Sequence, residues 1–278
     1  MDNNSLIKVL IIPDVHGRSF WKDCVENYKE LIENGVIDVV FLGDYLDPYY
    51  FEDITVIDAI KNFHEICKFA QRRKNVHLLL GNHDMPYYDE LYRDSLRYKC
   101  RYSHEYAPEI EAIFKNYKLF NIAWETELNG KKYLFTHAGV QKEWVNIWSG
   151  RAKIRRIIKK YIIEGLEPTA QSLNKLTNSK KGITALLDVS EMRGGYAKFG
   201  SVIWADFHEH LRNRIARDYY DNIYQVCGHS LAFPDEFDNA SFDKYYIDEH
   251  FAMLDARRGF ILDNMGKIKE MKPLKHKV

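Results

Sequence analysis

Short runs of acidic, amide and imidazole residues recur along the chain, each directly behind an apolar stretch. Residues 6–12 lead into Asp14-Val15-His16-Gly17, and residues 36–42 into Gly43-Asp44-Tyr45-Leu46-Asp47. Residues 76–80 lead into Gly81-Asn82-His83-Asp84, residues 131–136 into His137-Ala138-Gly139, and residues 223–227 into Gly228-His229. Carboxylate and imidazole suit Mn, Fe or Zn, and Asn adds a neutral oxygen. A carboxylate such as Asp44 can bridge two cations held ~3.5–4 Å apart. Glycines beside these residues let the chain turn sharply and the backbone approach closely. Turn-forming preference explains any one such run. Five compatible runs in order point instead to a two-metal site.

The elements that must position these runs read as alternating strands and helices. Residues 6–12 are almost continuously apolar, as in a strand buried on both faces. Residues 20–34 carry apolar residues at helical spacing and stop at Gly35. Residues 36–42 and 76–80 repeat the buried-strand pattern, with a long amphipathic helix over 54–73 between them and Asp53 as its N-cap. This order predicts a parallel sheet with right-handed crossovers. Ligands of such sheets sit beyond the C-terminal strand ends. Residues 119–128 and 131–136 read as a hairpin about Asn129-Gly130. Residues 201–205, 223–227, 251–254 and 260–263 predict a second, mostly antiparallel sheet. Residues 141–198 read as a helical insertion or cap within a single domain spanning 1–278.

Composition narrows the classes. The chain has 278 residues, 46% hydrophobic and 29% charged, which excludes a disordered, collagen-like or disulfide-scaffold chain. Lys plus Arg and Asp plus Glu are 40 each, so there is no basic excess for coating nucleic acid or an acidic membrane. The four cysteines form no CxxC pair and read as reduced thiols. The N-terminus lacks a signal peptide's basic region, and no run reaches the ~18–20 apolar residues of a membrane span. A cytoplasmic protein is expected.

DVH, GDYLD, GNHD, HAG and GH, in this order, resemble the motifs of the calcineurin-like metallophosphoesterase superfamily. The single terminal GH and the run Val202-Ile203-Trp204-Ala205-Asp206 resemble its phosphoprotein-phosphatase branch and that branch's bacterial and phage relatives. The resemblance implies an α/β fold: a β-sandwich of two mixed sheets flanked by helices, with the metals at the C-terminal strand ends. It implies Asp14 and His16 on the first metal, Asp44 bridging, and Asn82, His137 and His229 on the second. Two divalent ions are expected, manganese first, with iron or zinc as alternatives. His83 is implied as general acid, oriented by Asp47, with Asp84 as a second candidate for that role. The implied enzyme is a hydrolase of phosphate esters that uses a metal-bridging hydroxide as nucleophile. A phosphomonoesterase, serine/threonine protein phosphatase-like, leads. The alternatives are a nucleotide phosphodiesterase or dinucleoside polyphosphate pyrophosphohydrolase and, more remotely, a non-catalytic binding protein. The expected partner is a phosphorylated substrate, either phosphoprotein or nucleotide.

One departure matters. The family pattern after its second motif is DRG, whose Arg clamps the substrate phosphate, and here Asp47-Pro48-Tyr49 stands instead. Arg193, in Arg-Gly-Gly, is the first replacement candidate, followed by Arg101 and Arg18. His208-Glu209-His210 is read as a solvated helix face, because positions i and i+2 diverge on a helix. The basic run 151–160 is read as a packed helix with a solvated basic face.

Overall fold

The computed structural model describes residues 7–150, 166–212, 220, 222–231 and 244–271. Strand β1 (Ile7–Ile12) is central to the first sheet and feeds two cores, as its unbroken apolar run requires. Val9 and Ile11 point to one apolar cluster, Leu10 and Ile12 to another. After β1 the chain forms α1 (Phe20–Asn27) and α2 (Lys29–Glu33). The single helix expected over 20–34 is split at Tyr28, whose φ of −124° leaves the helical region. The apolar spacing continues across the break, so periodicity could not reveal it.

Strand β2 (Asp38–Phe41), helix α3 (Val56–Gln71) and strand β3 (Val76–Leu79) complete the β-α-β order. β1, β2 and β3 pair in parallel, as predicted. The N-cap of α3 is Thr55, whose side chain accepts from the Asp58 amide, and not Asp53. Helices α4 (Met85–Tyr88), α5 (Glu90–Leu96) and α6 (Ala107–Tyr117) follow, and β4 (Phe120–Asn121) then pairs in parallel with β3.

The hairpin of β5 (Ala123–Leu128) and β6 (Lys131–Thr136) turns at Asn129-Gly130, both at positive φ, and starts the second sheet. Helices α7 (Lys142–Trp148), α8 (Ala170–Asn174), α9 (Lys180–Leu186) and α10 (Phe207–Arg212) precede β7 (Ile223–Cys227). The basic run 151–160 lies outside the described residues. Strands β8 (Tyr246–Ile247), β9 (Phe251–Met253), β10 (Phe260–Asp263) and β11 (Ile268–Glu270) end the fold.

The first sheet has the order β11-β10-β1-β2-β3-β4 and the second β5-β6-β7-β9-β8. The second sheet is mixed, not mostly antiparallel, because β7 runs parallel to both β6 and β9. β10 belongs to the first sheet, antiparallel to β1. The expected strand over 201–205 is a buried turn, with the Trp204 and Ala205 amides both on the Ser201 carbonyl. Its apolar residues are buried because it packs into the core, not because it extends.

The sheets face each other across Val40, Leu42, Phe135, Val226, Leu254 and Phe260. Full burial of each such side chain contributes roughly 1.5–3 kcal/mol. The architecture is that of two mixed sheets flanked by helices. Among the described residues no helix is long and apolar enough to cross a membrane.

Candidate functional site

The C-terminal ends of β1, β2, β3, β6 and β7 converge. At these ends the backbone is bent out of its ordinary regions. Among the described residues, the non-glycine positions with positive φ are His16, Asp44, Asp47, His229, Lys118 and Asn129. Lys118 caps α6 and Asn129 turns the hairpin. The other four are residues singled out above for their chemistry, and strain of this kind gathers where surrounding structure holds it for function. Close approach does the rest. A Cβ at Gly228 would lie 1.9 Å from Asp14 Oδ1, and one at Gly81 would lie 2.1 Å from Asp44 Oδ1. Both positions therefore have to be glycine if the carboxylates are to sit where they do.

Two groups of ligand atoms result, Asp14–His16–Asp44 and Asp44–His137–His229, each with its atoms within 4.8 Å of one another. Asp44 Oδ2 lies 3.5 Å from both His16 Nε2 and His137 Nε2. His137 Nε2 is also 2.9 Å from Asn82 Oδ1 and 3.1 Å from His229 Nδ1. The other ring nitrogens are tied back. His16 Nδ1 donates to the Leu46 carbonyl and His137 Nδ1 to the Leu42 carbonyl, which aims each Nε2 at Asp44. Among the described residues, buried His229 Nε2 has no hydrogen-bond partner.

The electrostatics fit a cation pair. Burial, then Asp255 and Asp44, push the Asp14 carboxyl well above its ordinary range. Burial pushes His16, His137 and His229 below theirs, toward neutrality. For Asp44 burial acts upward, but His137, His83 and His16 outweigh it and hold the carboxyl at about 2. His16 and His137 are themselves driven toward neutrality and supply that positive charge poorly. Divalent ions would supply it fully and would use the crowded nitrogens as ligands. The residues present therefore fit two ions, with Asp44 facing both.

His83 stands apart from these groups. Its Nδ1 is 2.9 Å from Asp47 Oδ2, and Tyr87 donates its hydroxyl to Asp47 Oδ1 at 2.8 Å. Asp47 is thus the carboxylate beside His83. Asp84, the second candidate, is corrected. Its fully buried carboxylate accepts from the amides of Gly81, Asp44 and Tyr45 and does not face the imidazole. It ties the two motif loops together, which short sequence spacing to His83 could not disclose.

A cavity of about 350 Å³ opens over the site, and its wall includes His83, Tyr49, Lys99, Arg101, Arg193 and Trp204. Arg101 Nε donates to the Asp47 carbonyl at 3.0 Å, and its guanidinium lies 4.0 Å over the Tyr49 ring. The residue that replaces the family's Arg is Pro48, and Arg101 Nε reaches that carbonyl too, at 3.2 Å. A guanidinium is therefore delivered beside position 48 from elsewhere in the chain. Arg193 Nε pairs with Asp206 at 2.7 Å, and its Nη2 donates to the His229 carbonyl and the Ser230 hydroxyl. Arg18 is placed differently. Its Nε is held by Glu52 and its Nη1 by the Asp14 carbonyl, and it is not part of the cavity wall.

Several contributors were not legible in the sequence. Glu209 and His210 are buried, against the expectation of a solvated face. Glu209 accepts from Gln141 Nε2, Ser190 Oγ and the Gly200 amide, and so anchors the loop before Arg193. His210 Nε2 donates to the Ala138 carbonyl. Asp255 is buried near Asp14 and Arg18, and burial raises its carboxyl to about 6. Tyr87 and Lys99 carry no motif. Only the strand end before Asp255 was a usable signal.

Residues 7–233 match the family model for calcineurin-like phosphoesterases. No curated protein matches the chain. Among solved structures, Yfce, a phosphoesterase from E. coli, is similar at 16% identity and a TM-score of 0.25, covering 49% of this chain. This chain spans 61% of that protein's length. Because the family match runs through all five strand ends that form the site, the chain belongs to the calcineurin-like phosphoesterase family.

Proposed function

We propose that the chain hydrolyses phosphomonoesters, with Asp14, His16 and Asp44 holding one divalent ion and Asp44, Asn82, His137 and His229 the other, manganese in both. The observation that carries this reading is Arg101, a guanidinium anchored at the Asp47 and Pro48 carbonyls beside His83. Among the described residues it has no carboxylate partner, so its charge is available to the phosphoryl group. A monoester dianion needs that charge more than a diester does. Arg193 adds a second guanidinium from the other side of the sequence, positioned by Asp206 and Ser230.

The bound ions would supply charge neutralisation at the phosphoryl oxygens and activation of the attacking water. The chain's own residues do the rest. His83, with Nδ1 donating to Asp47, keeps Nε2 available to carry the proton for the departing oxygen. Tyr87 fixes the Asp47 carboxylate, and so the plane of the imidazole. Arg101 and Arg193 orient the phosphoryl group in line with the departing oxygen.

The test is a panel of phosphomonoesters, including a phosphoserine peptide, against phosphodiesters and dinucleoside polyphosphates, assayed with Mn²⁺. Monoesters should be turned over fastest. Arg101→Ala should cost about 1.5–3 kcal/mol in kcat/KM for a monoester and less for a diester. Faster diester or pyrophosphate hydrolysis, with Arg101→Ala neutral, would overturn the reading.

A further inference from the structure

The cavity wall carries one cationic side chain to which the reading above gives no role. Among the described residues three cationic side chains stand in its wall, Lys99, Arg101 and Arg193. Asp206 matches the charge of Arg193. Arg101, held on the carbonyls of residues 47 and 48, serves the scissile phosphate in the reading above. Lys99 is left over. It ends the short 3-10 turn Arg97–Lys99, and its Nζ donates to the Gly194 carbonyl at 2.6 Å and reaches the Arg193 carbonyl at 3.4 Å.

These contacts fix the ammonium without neutralising it. Carbonyls accept its protons but carry no formal charge, and an ammonium has three donors, of which two are directed at carbonyls. Among the described residues no carboxylate pairs with Lys99, whereas its neighbour Arg97 pairs with Asp94. The segment that holds Lys99 has little room to shift. Gly194 is left-handed at φ 66°, and a Cβ at Gly195 would lie 1.9 Å from the Val189 carbonyl oxygen. A fixed, uncompensated cation in a polar cavity is a receptor for an anion, and an ammonium reads phosphate as a point charge.

We infer that Lys99 receives a second phosphate carried by the leaving group, so that the site favours phosphomonoesters whose alcohol is itself phosphorylated. This inference rests on the monoester reading. A pure latch is the competing role, since Lys99 also braces the Arg193 turn. Loss of a latch would disturb every monoester alike. Loss of a receptor would disturb only substrates with the second anion.

The experiment compares kcat/KM for cleavage of the C1 phosphate of fructose 1,6-bisphosphate, read as fructose 6-phosphate formed, and of fructose 1-phosphate, in the Mn²⁺-loaded full chain. The bisphosphate should be preferred by about tenfold. Lys99→Met should bring the ratio toward parity, and Lys99→Arg should retain most of it. An equal loss on both substrates would assign Lys99 to the latch and overturn the inference. A preference for acidic phosphopeptides without one for the sugar bisphosphate would assign it to carboxylates, with the same consequence. Calorimetric binding of propane-1,3-diphosphonate and propylphosphonate gives a readout that needs no turnover. Lys99→Met should weaken the diphosphonate selectively, and an equal effect on both ligands would overturn the inference. Absence of all monoester hydrolysis would defeat the monoester reading instead, with the calorimetry still deciding Lys99.

Discussion

The imidazole of His83 and the carboxylate of Asp47 meet at 2.9 Å, although 36 residues separate them. The contact leaves Nε2 of His83 as the ring nitrogen available to a departing oxygen. His83→Ala should lower kcat by about 10²–10⁴-fold while leaving the metal content unchanged. The loss should be largest for alkyl phosphates and smallest for activated aryl phosphates, which need little protonation. Asp47→Asn should give a weaker form of the same pattern. Loss of a metal ion from His83→Ala, measured by metal analysis, would show that His83 is a ligand.

The two ligand groups share Asp44, so the metal stoichiometry is tied to one residue. The chain should bind two ions under saturating Mn²⁺ and lose activity with chelator. Asp44→Asn should weaken both ions, whereas Asp14→Ala should weaken one. Binding of a single ion by the folded wild-type chain would contradict this arrangement.

Space at Gly228 and Gly81 is a sharper test of the site than removal of a ligand. A methyl group at either position collides with a carboxylate oxygen, of Asp14 or of Asp44. Gly228→Ala should displace Asp14 and lower metal affinity, at a cost in stability of about 1–3 kcal/mol. Gly81→Ala should do the same through Asp44. Unchanged metal binding in both variants would show that the loops have more room than the structure gives them.

Asp188 provides a pH-dependent test away from the metals. Trp144 and Trp148 donate their indole N–H groups to its Oδ2, and burial raises the carboxyl to about 6. A carboxyl raised above its unfolded value stabilises the fold most below that unfolded value. This advantage is lost as pH rises from about 4 through about 6. Asp188→Asn keeps an acceptor for the indoles and removes the ionisation. It should be more stable than the parent at pH 8 by up to about 3 kcal/mol, with the gain shrinking toward about pH 4. Denaturant unfolding at both ends of that range measures it. A gain independent of pH would exclude ionisation of Asp188 as its cause.

Local pattern was enough to read much of this protein. β1, β2 and β3 are buried on both faces, so their apolar runs are continuous and visible in one dimension. The polar run after each strand follows it in the chain, so the order of Asp14, Asp44, Asn82, His137 and His229 already named the family and the metal chemistry. Other features depend on contacts between distant segments. Whether Asp47 or Asp84 faces His83 depends on which carboxylate the amides of Asp44, Tyr45 and Gly81 claim, and both Asp residues follow motif residues equally well. Arg18, Arg101 and Arg193 are alike as letters. Glu52 takes the first, the carbonyls beside Pro48 take the second, and Asp206 takes the third. Glu209 and His210 lie on a helix too short for periodicity to show which face is buried, and the packed loops around them decide it. Strand identity and ligand order are carried by neighbours in the chain. The assignment of charges to partners is carried by neighbours in space, and those exist only once the two sheets have packed.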